Sequence, residues 1–93
     1  MTDQDDAEES FAEDTLIQAI ENQIESESPA AARAVFNKLT LVGYEREDAL
    51  HLMALVLAHE IESMLAEDRP FNGEWYEQAL RALPTLPDGT VAE

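Results

Sequence analysis

The chain has 93 residues, 21 acids, five bases and no cysteine, for a formal net charge of −16. That excludes a disulfide framework, a cysteine-based zinc site and a thiol nucleophile. It also argues against direct binding to nucleic acid or to an anionic membrane, since both need a basic surface.

The charge is uneven. Residues 1–28 hold ten acids and no base, and residues 29–93 hold eleven acids and five bases, so the two parts carry −10 and −6. Apolar residues make up 45% of the chain, enough for a folded domain. Fourteen of these are alanine, which leaves 28 larger hydrophobes to build a core. The opening MTDQDDAEES has neither the basic nor the apolar region of a secretory leader. The longest mostly apolar run, Ala49 to Ala58, is ten residues, against the roughly 20 that a membrane span needs. The expectation is a cytoplasmic protein that does not enter a membrane.

In chain order, residues 1–9 read as a disordered acidic tail, because like charges repel and no large hydrophobe follows Met1. Ser10-Phe11-Ala12-Glu13 fits a capping box, and Leu16, Ile17, Ile20 and Ile24 follow at helical spacing, so a first helix is expected at 11–26. Ser28-Pro29 reads as an N-cap followed by proline at the first helical position. The second helix, 29–42, carries the stripe Ala32, Val35, Phe36, Leu39 and Val42, and Gly43 stops it.

A third helix is expected at 46–67. Leu50, Met53, Ala54, Leu57, Ile61, Met64 and Leu65 fall on one broad face, with Asp48, His51, His59 and Glu62 on the other. Leu52 and Leu55 also lie on that polar side and Val56 lies at the border, so this helix is the candidate centre of the fold. Arg69-Pro70-Phe71 breaks the chain. Asn72 is a candidate N-cap, and Phe71 can staple onto Tyr76. The fourth helix, 72–83, places Tyr76, Ala79, Leu80 and Leu83 on one stripe, and Pro84 ends it. Residues 85–93 read as a flexible tail. No segment alternates at period two, so the expected fold is all-α: a single domain over 10–84, built as a small four-helix bundle or two packed helical hairpins.

Leu39, Gly43-Tyr44, Ala49, Val56-Leu57, Glu60-Ile61, Leu65, Arg69-Pro70-Phe71, Tyr76, Leu80 and Leu83-Pro84 form a pattern over about half the chain. It resembles small all-helical bacterial proteins with a Gly-Tyr turn, a long apolar helix, an Arg-Pro-Phe break and a short Tyr-containing helix. The resemblance implies a bacterial source and an all-helical fold, and it carries over no catalytic residue.

Chemistry is thinly represented. His51 follows Glu47 and Asp48, and His59 precedes Glu62, at spacings that could co-ligate a cation. A bundle metal site draws ligands from several helices, however, and the other three contain no histidine. The simpler reading is two solvated or interface histidines. Ser10 and Ser28 are explained as caps, and three glycines cannot make a phosphate loop. Glu60, at the edge of the apolar face, is either a buried acid with a raised pKa or a border residue that reaches water or pairs with Arg33, Lys38, Arg46, Arg69 or Arg81. Trp75 either covers the end of the core or is a binding hot spot.

No catalytic residue, cofactor or metal is therefore expected, and the protein is not expected to be an enzyme. Leu52, Leu55, His51, His59 and Trp75 are the candidate surface for a protein partner or a homodimer. The leading expectation is a non-catalytic protein-interaction or regulatory module. One alternative is an acidic nucleic-acid mimic that blocks a basic partner, and a second is a metal-binding helical protein. A mimic should array its carboxylates on one continuous folded face, whereas a solubilising tail would leave those of residues 1–9 unstructured.

Overall fold

The structure, a computed structural model, describes residues 2–87, the first twelve of them by backbone path. It is an all-α bundle of four helices: α1 (Thr2–Ser26), α2 (Ala30–Leu41), α3 (Arg46–Glu67) and α4 (Gly73–Ala82). No strand occurs among the described residues.

The second to fourth helices fall within a residue of their expected bounds. The first does not: it begins at Thr2, and Ser10 lies inside it rather than at its cap. The stretch expected to be an acidic tail continues the helix. No proline or glycine interrupts residues 2–26, and acids in the opening turns complement the helix dipole. Pro29, not Ser28, occupies the N-cap position of α2, and its carbonyl accepts from the amide of Ala32 at 3.0 Å. The expected flexible tail lies outside the described residues from 88 onward; before that, Leu86 packs against the core.

Three helices end the same way. Glu27, Gly43 and Asp68 have positive φ, and the next residue's amide reaches back to a carbonyl five positions earlier: Ser28 to Gln23, Tyr44 to Leu39 and Arg69 to Met64. These are Schellman closures, which satisfy carbonyls left over at a helix end. Only the one at Gly43 carries a residue that announces it.

The helices bury Ile20 from α1, Ala31, Ala32, Val35 and Leu39 from α2, Ala49, Leu50, Met53, Ala54, Val56 and Leu57 from α3, and Tyr76 and Leu80 from α4, with Leu83 just beyond. Four of these are alanines, so part of the alanine content brings backbones close rather than filling volume. Both α2 and α3 touch all three other helices. The central place expected for α3 is therefore shared with α2. Two members of the expected stripes point elsewhere. Val42 is 65% exposed because it caps α2 and has left the helical path, and Leu65 is 71% exposed in the last turn of α3.

With 22 residues and a mean hydropathy of 1.4 over its most apolar stretch, α3 is long and apolar enough by composition to cross a membrane. The mostly apolar run of ten, interrupted by His51, understated it. In the bundle α3 meets the other three helices, and it carries the buried carboxylate of Glu60.

Side chains tie the elements across the core. Tyr76 Oη donates to Gln23 Oε1 at 2.8 Å, joining α4 to α1. Arg46 of α3 pairs with Glu21 of α1 at 3.1 Å while its guanidinium lies 5.5 Å from the centre of the Phe36 ring of α2. Lys38 Nζ donates to the carbonyl of Arg81 at 2.7 Å, so α2 caps the C-terminal end of α4.

Candidate functional site: a charge lock beside an aromatic groove

The most organised polar cluster sits where α3 breaks into α4. Glu60 is 1% exposed, the one buried charged residue among those described. Its carboxylate accepts from both terminal nitrogens of Arg69, at 2.7 and 3.2 Å, and from the backbone amide of Asn72 at 2.7 Å. A carboxylate this buried survives only if its lone pairs are met by donors, and a two-pronged guanidinium meets them best. Arg69 Nε also donates to Glu67, and Arg69 Nη1 to the carbonyl of Pro70.

Of the two expectations for Glu60, pairing with Arg69 is the one observed, although the residue lies inside the core rather than at its border. The raised pKa is corrected. The Arg69 hydrogen bonds outweigh desolvation and, with the Asn72 amide, hold the carboxyl below its usual value, while the pair holds Arg69 more firmly charged.

The cluster runs on into α4. Asn72, fixed by its amide to Glu60, accepts from the amide of Trp75 through its side-chain oxygen at 3.1 Å, the expected N-cap. Phe71 meets Tyr76 edge-on with ring centres 5.4 Å apart, the expected staple. The indole of Trp75 then stacks on His59, with ring centres 5.2 Å apart and planes 25° from parallel. His59 directly precedes Glu60 in α3. The lock and the stack are therefore two faces of one junction: Glu60 points in and fixes the start of α4, and His59 points out against the residue so positioned.

Beside the stack lies a groove of about 450 Å³ lined by His59, Trp75, Gln78, Ala79, Ala82 and Thr85, together with Leu86 and Pro87. Residues 75, 78, 79 and 82 form one face of α4 at helical spacing.

The structure stacks His59 on Trp75, and Leu55 stands one turn before His59 on the same helix. His51 lines a different groove, of about 500 Å³, with Ile17, Glu21, Arg46 and Asp48. It is eight residues from His59, about 12 Å along the helix. Leu52 is half-buried against the core of its own chain, which accounts for an apolar residue on the polar side of α3, and Leu55 is half-buried as well. Sequence reasoning missed Gln78, Ala79, Ala82 and Leu86. The first three were legible as the positions that share a face with Trp75. Leu86 had no periodicity to reveal it. Among the described residues no three His, Asp or Glu side chains converge to hold a metal ion, so the His51 and His59 spacings do not become a ligand set.

Fold and site together define a small acidic four-helix bundle with a buried charge lock at its α3–α4 junction and an aromatic-walled groove beside it. No family model, curated protein or solved structure matches the chain.

Proposed function

We propose that the protein is a non-catalytic interaction module whose working surface is the α3–α4 groove. The observation that carries this reading is the His59–Trp75 stack. A partly buried tryptophan, packed against the core on one side, is held by a ring neighbour and a capped helix start at the lining of an open groove, and aromatic anchors of this kind are enriched at the centres of protein interfaces. The reading takes the chain to be a bacterial cytoplasmic protein, in line with the resemblance of its Leu39 to Pro84 stretch. A second copy is the competing occupant.

Affinity capture from a bacterial lysate tests it, comparing the native chain with Ala82→Arg, which fills the groove from an exposed position. A partner retained by the native chain and lost by the variant supports the reading. Equal recovery by both contradicts it.

The nucleic-acid mimic keeps one specific support. Helix α1 carries nine acids and no base over 25 residues, about 37 Å of negatively charged rod. A mimic would bind through charge alone, so its partner should be released by salt and should ignore Ala82→Arg.

A further inference from the structure

We infer that the groove receives a segment of a partner protein that combines an apolar anchor with flanking lysine or arginine side chains. The inference rests on the interaction-module reading and names the chemistry of the partner.

The argument is one of charge. Each of the five bases is already engaged within the chain: Arg33 on Glu27, Lys38 on the Arg81 carbonyl, Arg46 on Glu21, Arg69 on Glu60 and Glu67, and Arg81 on Glu77. Apart from that of Arg69, these contacts are exposed and weak, so the bias against an acidic partner comes chiefly from the net charge of −16. The groove lining itself carries no acid and no Lys or Arg. Its indole, imidazole, alanine and leucine lining suits an apolar side chain. Exposed acids stand close by in sequence: Glu62 one turn along α3 from His59, and Glu74 next to Trp75. An apolar anchor between basic residues therefore matches the groove and its surroundings together, and a basic side chain laid over the indole gains a cation–π contact.

The same charge disfavours a second copy. Two chains of −16 repel on approach, and association would have to overcome that repulsion before any groove contact forms.

Trp75 is the only tryptophan, so its emission reports on the groove directly. The test titrates the full chain with a short Trp-free peptide that places Leu and Lys at helical spacing, and in parallel with oligolysine of equal charge. The expected result is a saturable shift of Trp75 emission with the Leu/Lys peptide, at least about tenfold tighter than any response to oligolysine and weakened about tenfold by Ala82→Arg. Gln78→Arg serves as a second groove variant should circular dichroism show that Ala82→Arg disturbs the fold.

Several results overturn the inference. Equal binding of oligolysine and the Leu/Lys peptide leaves surface charge alone. Emission can shift with protein concentration in the absence of peptide, which identifies a second copy. Removal of residues 88–93 can shift emission of the free protein, which makes the chain's own end the occupant. If the peptide fails while lysate capture remains sensitive to Ala82→Arg, the module stands and the partner chemistry is wrong. If both fail, neither stands.

Discussion

Glu60 concentrates the energetics of the α3–α4 junction in one side chain. Replacing it with glutamine keeps the shape and removes the charge that Arg69 was oriented to meet. Arg69 is 29% exposed and can turn to water, so the expected loss is about 2 kcal/mol rather than the larger cost of stranding a fully buried partner. Urea unfolding of Glu60→Gln against the native chain measures it. The pH dependence has a definite sign. Folding lowers the Glu60 pKa below its ordinary 4.5, so the unfolded chain takes up the proton first. The stability difference between native and Glu60→Gln should be full above pH 4.5 and should shrink as pH falls below it, through the lower folded value. Tyr76 acts at the other extreme. Burial pushes its hydroxyl up to about 12 from 10. Its contribution is complete below pH 10 and is lost as pH rises from there toward 12. Tyr76→Phe removes the Gln23 bond, costs about 1 kcal/mol in urea unfolding and abolishes that alkaline loss.

At the scale of elements, helix ends decide what a sequence can announce. Gly43 has φ of +112, and a Cβ added there would meet nothing within 4 Å. Gly43→Ala should therefore cost about 1–2 kcal/mol through backbone strain alone, seen as a lower urea midpoint with an unchanged slope. Asn72→Ala should cost about 1 kcal/mol by freeing the Trp75 amide, and it should loosen the His59–Trp75 stack, visible in near-ultraviolet circular dichroism. Gly43, Asn72, Pro70 and Pro84 were legible because each allows few backbone conformations or offers one specific cap. The closures at Glu27 and Asp68 were not, since neither residue is a usual left-handed stop. The start of α1 was misread for a related reason. Acidic repulsion argued for a tail, while helix propensity and the dipole argued for continuing the helix, and local pattern does not weigh one against the other. The site was half legible. Trp75 and His59 were each singled out, but their stacking depends on the turn between α3 and α4, which begins with the left-handed Asp68. Glu60 looked like a border residue because periodicity averages over the helix, whereas its burial depends on the Arg69 that folds back nine residues later.

Over the whole molecule, the charge of −16 works against the compact state. The ion pairs Arg46–Glu21 and Arg33–Glu27 are exposed and each contributes less than about 1 kcal/mol, so they do little to offset the repulsion. Added salt screens charges beyond roughly 10 Å, and the melting temperature should rise with sodium chloride before it levels off. A flat profile would mean that the acids are spaced too widely to repel, and a falling one that attractive ion pairs outweigh the repulsion. The acidity also separates two ways of meeting a basic partner, through the rod of α1 or through the groove. Amide chemical-shift mapping with the Leu/Lys peptide distinguishes them most directly. The groove reading requires the largest shifts at His59, Trp75, Gln78, Ala79, Ala82 and Leu86, whereas shifts concentrated on the acids of α1, with the groove amides unmoved, would contradict it.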